Sequence, residues 1–487
     1  MSSIRHSLAL SAIDSYLNLV LQIASTVIIS RILTPEETGI FAVAAVFAAL
    51  ASNFRDFGVG EYLIQEQNLT NEKIRAALTL NIAVSWTMGL LLFAASDAAA
   101  QFYRSEGVGV VMRVQAVNFA MIPFGAVTMA YFRRELNFKP IFIVGLVANL
   151  GSFVVSIACA LNGQGYMSLA WSSLAGVALT VATSVLLRPK GFPRWPGLQG
   201  VAEVFHFGKF ASGVYLLGQL GKGAPEMIIG RAQNVASVAI FSRATGLVEL
   251  FNRLVLRAVM PVCMPYFAKS NREEGSLVKG YLISISYLTA IGWPFIAFLG
   301  VAAFAAIRLI YGDQWVAAVP LAQIACAAAA IDLVHHLARE ALLAVGKAKQ
   351  SQNLQAGMVA AQILGLLLIV PFGLAGAAWG LMAAALVGAW LSQRTLQVHL
   401  GLRLKDVAKA CAPALSLTAL SITPVACWAL TTGVGEHNFV AFGVGGGILT
   451  AVAWVLSLML TKHPLWAEIT KVATHLHGWA VKRRPAE

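Results

Sequence analysis

The residues best suited to chemistry in this chain are charged side chains inside long apolar segments. The richest segment holds Glu249, Arg253 and Arg257 at four-residue spacing, with Arg243 ahead of them. In a helix at 100° per residue the three share one side, and Arg243 lies within about 80° of Arg253. Guanidinium groups bind phosphate oxygens in pairs, so this stripe predicts a site for an anionic ligand. The structural alternative is that Glu249 neutralises Arg253 while Arg257 extends to the membrane surface.

Three more basic residues are candidates for the same anionic-ligand site: Lys222, Arg113 and Arg31. A charge at the centre of a bilayer costs at least about 2.5–3.5 kcal/mol, so it is expected to face a cavity or a partner. Arg31 has a structural alternative as well. Arg31 and Arg231 end equivalent predicted helices, where a cation offsets the helix dipole.

The acidic candidates are Asp14, Glu226 and Asp332. A carboxylate in a low-dielectric site can titrate in a useful range, so each is a candidate for coupling to a proton or cation. Lys222 and Glu226 are four residues apart and could pair instead. Asp332 lies beside two histidines, in a cluster that is either titratable or simply close to the membrane surface.

Composition identifies the elements that must position these charges. The 487 residues have a mean hydropathy of +0.73, with 58% hydrophobic and 12% charged residues. Soluble domains carry roughly twice that charged fraction. The apolar runs are about 20 residues long and do not alternate, which predicts membrane-spanning helices. Fourteen spans are predicted: 9–31, 38–58, 76–97, 108–131, 141–162, 166–187, 207–230, 236–266, 281–303, 315–337, 352–372, 374–394, 409–430 and 438–460.

The loops give these spans an orientation. Lys and Arg concentrate in alternate loops, and an even number of spans preserves that asymmetry, so both termini are predicted on the cytoplasmic side of an inner membrane. The eighth span is long, and Pro261 and Pro265 are expected to kink or end it. The N-terminus has no cleavage pattern and is predicted to be a retained first helix.

An internal repeat predicts two lobes. The segment Ile28–Arg31 (IISR) recurs as Ile228–Arg231 (IIGR), at an offset of 231 − 31 = 200 residues. Repeats of six spans keep the same orientation, so a substrate path between two related lobes is expected. The predicted division is an N-terminal six-helix lobe (1–200), a C-terminal six-helix lobe (201–398), and two further helices with a basic cytoplasmic tail (399–487).

Several function classes are excluded. The segment Gly218–Lys222 lacks the spacing of a phosphate-binding loop, and the chain has no D-x-D motif or long soluble stretch. The five cysteines form no C-x-x-C pair, and no cofactor or metal is expected. The net charge of +13 is explained by loop lysines and arginines, without a nucleic-acid motif. The sequence therefore predicts a transporter rather than an enzyme. Gly376-x-x-x-Gly380 predicts close helix packing.

The chain also resembles a known family. Residues 30–41 (SRILTPEETGIF), 56–60 (DFGVG), 133–138 (RRELNF), 228–231 (IIGR) and 241–244 (FSRA) are similar to motifs of the polysaccharide exporters. These exporters form the oligosaccharide-lipid flippase branch of the multidrug/oligosaccharidyl-lipid/polysaccharide superfamily. The likeness is distributed over about the first 270 residues. Glu226 stands where that branch often has Asp, and Ala239–Phe241 replaces its G-x-Y.

The resemblance implies a fold and a substrate. The fold is a twelve-helix core of two six-helix lobes around a cavity that opens alternately to either side, with two extra helices. The substrate is an undecaprenyl-diphosphate-linked oligosaccharide, moved to the periplasmic leaflet for lipopolysaccharide or exopolysaccharide synthesis. Glycosyltransferases and a polysaccharide polymerase would be pathway partners. The alternatives are a drug or metabolite/cation antiporter of the same superfamily, or a non-transporting scaffold.

Overall fold

The computed structural model describes the backbone of residues 2–56, 58–274 and 277–481. Side chains are described for 16–55, 58–206, 218–219, 221–256, 259–260, 262–272, 277–471 and 474. Within these ranges the regular secondary structure is helical and includes no strand. The chain divides into two compact units, Met1–Ile240 and Phe241–Glu487.

The first unit contains ten helices. They are α1 (Ser2–Ile32), α2 (Pro35–Asp56), α3 (Val59–Gln65), α4 (Asn71–Ala94), α5 (Ser96–Tyr103), α6 (Glu106–Met121), α7 (Pro123–Arg134), α8 (Phe138–Leu161), α9 (Met167–Leu186) and α10 (Val201–Ala232).

The second unit begins inside α11 and continues to α21. Its helices are α11 (Val235–Phe251), α12 (Arg257–Glu274), α13 (Val278–Val301), α14 (Ala303–Ile310), α15 (Val319–Leu333), α16 (Ala338–Ala344), α17 (Ala348–Ile369), α18 (Leu374–Leu400), α19 (Leu404–Thr432), α20 (Phe439–Leu460) and α21 (Pro464–Val481). A π-helical turn, Asn252–Leu256, joins α11 to α12, and 3₁₀ turns occupy Asp313–Ala318 and Val370–Phe372.

The prediction of an all-α polytopic membrane protein is confirmed. Among the described residues ten helical segments are long and apolar enough to cross a membrane, or eleven if α6 and α7 form one span bent by 54°. The predicted first, seventh and eighth spans correspond to α1, α10 and α11 with α12, which lie partly outside the described side chains. The count of fourteen is therefore supported approximately.

The helix boundaries reproduce the repeat seen in the sequence. Helix α1 ends at Ile32 and α10 at Ala232, while α2 begins at Pro35 and α11 at Val235. Both comparisons give the same offset, because 232 − 32 and 235 − 35 equal 200. The division into units falls 40 residues beyond the predicted lobe boundary at 200/201 (240 − 200 = 40), since α10 packs on α2 and α4 within the first unit. The two six-helix lobes remain a prediction.

Local irregularities follow from particular residues. The helix that begins at Arg257 continues through Pro261 and Pro265 to Glu274, so of the two effects predicted for these prolines the end of the helix is excluded. The irregularity lies upstream, in the π turn at Asn252–Leu256. The close packing predicted for Gly380 is confirmed, because a Cβ there would lie 2.7 Å from the carbonyl oxygen of Gly365 on α17.

Candidate functional site

Arg243 on α11 lies between aromatic rings. Its guanidinium carbon is 5.2 Å from the ring centre of Tyr311 and 4.9 Å from that of Trp315, in a cation–π arrangement. Both rings are buried, and the buried Nε of Arg243 has no hydrogen-bond partner. Gly246 leaves room for this packing, because a Cβ there would lie 3.0 Å from the Tyr311 hydroxyl. These contacts favour a structural role for Arg243 within the second unit.

Arg253 lies in the π turn in a different environment. Its Nε is 3.5 Å from Oε1 of Glu249, and the two side chains are 29% and 48% exposed. Asn252 Nδ2 donates a hydrogen bond of 2.9 Å to Oε2 of the same carboxylate. One half-exposed carboxylate therefore serves both neighbours, and the guanidinium keeps donors available to a ligand. The side chain of Arg257 lies outside the described residues.

A cavity of 360 Å³ opens beside this group; we call it the polar cavity. Helices α11, α15, α17 and α18 and the π turn form its walls. Alanines of α15 and α18 contribute much of its surface. Its polar lining residues are Thr245, Glu249, Asn252, Asp332, Gln355 and Gln362.

Asp332 reaches this cavity from α15. Its Oδ2 lies 3.3 Å from Nδ1 of His336, one helical turn later, and its side chain is 42% exposed. The pairing occurs where α15 ends, at Leu333, before α16 begins at Ala338. The predicted cluster of Asp332 with a histidine is thus present, whereas the buried Nδ1 of His335 has no partner.

A second cavity lies on the other side of α15; we call it the apolar cavity. Its volume is 740 Å³, and residues of α13, α15, α18 and α19 line it, together with Val334 and His335 just after α15. Trp293 and Ile296 are typical of its walls, and Gln323 is one of its few polar residues. Helix α15 therefore separates a polar from an apolar cavity within the second unit.

Two basic candidates of the first unit, Arg113 and Arg31, lie in separate local environments. Arg113 on α6 donates a 3.1 Å hydrogen bond from Nε to the Ser96 hydroxyl and forms an ion pair with Asp97. Both partners belong to α5, so Arg113 joins two neighbouring helices. Arg31 is exposed in the last turn of α1, as the dipole interpretation expects.

Lys222 and Glu226 diverge, although four residues separate them on α10. Lys222 is exposed, and Glu226 is partly buried with an Oε2 that has no partner. No ion pair joins the two among the described side chains. The expected Lys222–Glu226 pair is therefore not formed in this structure. The side chain of Asp14 lies outside the described residues.

The basic end of α7 has a clear structural role. The Arg134 guanidinium donates a 2.7 Å hydrogen bond to the carbonyl oxygen of Leu63, near the end of α3. Glu66, which follows α3, lies 2.8 Å from Lys73 Nζ. That hydrogen bond is the main cause that lowers the pKa of the Glu66 carboxyl. Arg134, in a segment that resembles the polysaccharide exporters, thus holds the loop after α3 in place.

Sequence reasoning missed several residues of the site. Gln355 and Gln362 lie seven residues apart on the apolar helix α17, a two-turn spacing that could have identified them. Tyr311, Trp315 and Asp97 lie far along the chain from the arginines they contact, so no local pattern indicated them.

Comparison with known proteins identifies the family. A family model described as polysaccharide biosynthesis protein matches residues 28–320, which is more than half of the chain. The chain belongs to this family. It is 24% identical over 421 residues to the teichuronic acid biosynthesis protein TuaB of Bacillus subtilis, covering 83% of this chain and 84% of TuaB. It is 22% identical to the lipopolysaccharide biosynthesis protein WzxC of Escherichia coli, covering 65% of each chain.

Solved structures show the same fold. The lipid II flippase MurJ in an inward closed conformation superposes with a TM-score of 0.71, at 10% identity, over 94% of this chain and 99% of MurJ. A multidrug resistance MATE transporter of the MOP superfamily gives 0.62, at 14% identity, over 78% of this chain and 94% of the transporter. Family and fold together confirm the prediction of a polytopic membrane protein of polysaccharide biosynthesis.

Proposed function

We propose that this protein is a flippase for a polyprenyl-diphosphate-linked oligosaccharide, moving it across the bacterial inner membrane during lipopolysaccharide or exopolysaccharide synthesis. The observation that carries the proposal is the family match over residues 28–320 in a chain with a membrane-transporter fold. The relatives named for teichuronic acid and lipopolysaccharide synthesis support this substrate class.

Arg253 is the best-placed group for the diphosphate. Its side chain is 29% exposed, and Glu249 is its ion-pair partner among the described residues. A lipid diphosphate carries more negative charge than one carboxylate, so it competes with Glu249 for the guanidinium. Planar donors contact phosphate oxygens in pairs, and the contacts gain strength where water is scarce. Lys222, exposed on α10, is a second candidate for the diphosphate.

Glu226 is the carboxylate that we propose for coupling to a proton or cation. It is partly buried, and its Oε2 lacks a hydrogen-bond partner, so a bound proton or cation would satisfy it. We expect Glu226→Gln to retain protein abundance and to remove the dependence of transport on an ion gradient. Gradient-dependent transport by this variant and by Asp14→Asn alike would exclude both carboxylates, and Asp332→Asn would then be the next variant.

We propose the orientation that the loop charges predict, with both termini in the cytoplasm. Single cysteines introduced at Gly163, Gly373 and Glu436, each in a turn between long helices, should react with an impermeant reagent added outside the inner membrane. A cysteine at Lys190 should react only after permeabilisation. Labelling of the two termini from opposite sides would refute this topology.

The decisive experiment uses purified protein in proteoliposomes. The probe is a labelled polyprenyl-diphosphate oligosaccharide, and its arrival in the opposite leaflet is detected with an impermeant glycosidase. We expect protein-dependent transfer of this lipid and no gradient-driven efflux of a cationic dye. Dye efflux without lipid transfer would favour the antiporter. The absence of both activities would favour the non-transporting scaffold. Genetic dependence on the polymerase and glycosyltransferases of one pathway would then identify its partners.

A further inference from the structure

The polar cavity of the second unit contains amide side chains that the fold itself does not use. Gln355 and Gln362 are half-buried on α17 and face the cavity, and neither has a hydrogen-bond partner among the described residues. Polar side chains in a membrane helix are costly unless water, a partner or a ligand satisfies them. Their spacing of seven residues places both on one side of the helix.

A matching row faces them from α11 and the π turn. Thr245, Glu249 and Asn252 are spaced by four and three residues, and Asp332 joins them from α15. Between the two rows the surface consists largely of alanines, such as Ala328 and Ala385, which leave space for a ligand. The two polar rows and the space between them form a pocket with hydrogen-bonding groups on two sides.

The chemistry of the lining excludes the charged and the apolar parts of the lipid. Two carboxylates, those of Glu249 and Asp332, would repel a diphosphate. Six polar side chains would be desolvated by a polyprenyl chain. Both carboxylates are already engaged, Glu249 by Arg253 and Asn252, and Asp332 by His336, which leaves few ligands for a cation.

A neutral polyol fits the hydrogen-bonding groups that line the polar cavity. Amides both donate and accept hydrogen bonds, and carboxylates accept them, which suits hydroxyl groups that do both. The volume of 360 Å³ is at the lower end of the range for small-ligand sites, the scale of a few sugar rings. Glu249 links this cavity to Arg253, so a sugar in the cavity would lie next to the candidate diphosphate contact.

We propose that the polar cavity is a carbohydrate subsite in which Gln355 and Gln362 select the sugars of the transported lipid. This inference rests on the proposed flippase function and adds the part of the protein that recognises the glycan. It makes these two residues determinants of specificity, whereas Arg253 acts on every diphosphate lipid.

The test compares two probes in proteoliposomes: polyprenyl diphosphate without sugar, and the same lipid carrying an oligosaccharide. The measured quantity is the ratio of their initial transfer rates. Gln355→Met and Gln362→Met keep the side-chain volume and remove the hydrogen bonds. Each should lower the preference for the glycosylated lipid about fivefold, with little change for the bare lipid.

Two further variants control the test. Ala385→Leu should narrow the cavity without removing a polar group and lower the same ratio. Gln323→Met changes an amide of the apolar cavity and should leave the ratio at the wild-type value. Detergent melting curves verify that all variants are folded.

The outcomes separate the two proposals. Transfer of neither lipid by the wild type would reject the flippase function, and the subsite with it. Transfer of both lipids at an unchanged ratio in the methionine variants would reject the subsite alone. An unchanged ratio with an altered dependence on Na⁺ or pH would show a cation site and overturn the carbohydrate proposal.

Discussion

Arg243 and Arg253 lie on the same helical stripe, yet their surroundings differ in kind. Arg243 is held between the buried rings of Tyr311 and Trp315, at 5.2 and 4.9 Å. Arg253 is half-exposed beside a cavity and shares one carboxylate with Asn252. The comparison shows that charge and helical face alone do not determine the role of an intramembrane arginine. The groups packed against the guanidinium decide whether it can meet a ligand.

The largest effect on transport is expected at Arg253. Arg253→Gln should lower transfer of the diphosphate lipid about tenfold or more, since it removes charge-assisted hydrogen bonds of about 1.5–3 kcal/mol. Membrane abundance and melting temperature should remain near wild type. Arg253→Lys should restore transfer only in part, because a point charge lacks the paired geometry.

The double variant Glu249→Gln/Arg253→Gln controls for the ion pair. Recovery of transport in this variant would mean that Arg253 serves mainly to neutralise Glu249. In that case the contrast between the two arginines would disappear.

At Arg243 we expect a loss of stability with little change in transport. Arg243→Ala removes two cation–π contacts of about 0.5–2 kcal/mol each, so the melting temperature in detergent should fall by about 3–6 °C. Transfer per folded molecule should stay within about twofold of wild type. Trp315→Ala should lower the melting temperature further, because it removes one of these contacts and also leaves a cavity at a fully buried position. A variant of normal stability that transfers no lipid would instead place Arg243 in the substrate site.

Arg113 extends the comparison to the first unit. It is 43% exposed and ion-paired with Asp97, and exposed pairs contribute about 0–1 kcal/mol. Arg113→Ala should therefore lower the melting temperature by no more than about 2 °C and leave transfer unchanged. The exchange Arg113→Asp/Asp97→Arg should restore the wild-type melting temperature. A strong transport defect that the exchange does not repair would show a substrate contact at Arg113.

The smallest effect is expected from His463, outside the spans before α21. Its Nδ1 accepts a 3.2 Å hydrogen bond from the backbone N–H of Leu465, and its Nε2 lies 3.3 Å from the Ser286 hydroxyl. Burial lowers the pKa of this imidazole, so the folded state favours the neutral form. Its contribution to stability is complete above the ordinary histidine pKa and is lost as pH falls through the lowered value.

Between pH 7.5 and 5 the wild type should lose about 1 °C more in melting temperature than His463→Gln does. Transfer at pH 7.5 should be the same for both proteins. If the melting temperatures of the two proteins depend equally on pH, His463 does not cause this loss of stability.

The sequence predicted what depends on local pattern. Apolar length predicted the spans, and the recurrence of IISR as IIGR predicted the offset of 200 that the ends of α1 and α10 reproduce. Four-residue spacing predicted the contact of Glu249 with Arg253. The partners of Arg243 and Arg113 were not predicted, because tertiary packing brings Trp315 and Asp97 to them. The spacing rule also assumed a regular α-helix through Arg253, where a π turn occurs.

The π turn at Asn252–Leu256 has a mechanical consequence. Such a turn accommodates one residue more than an α-helical turn, so it stores a phase difference of about 100° along the helix. Shifting it by a few residues along the helix would rotate the side chains that it passes without rotating the distant helix ends. Arg253 and Asn252 lie inside this segment. The helix can therefore turn Arg253 and Asn252 relative to the polar cavity. Arg243, which precedes the π turn, stays between the rings of Tyr311 and Trp315.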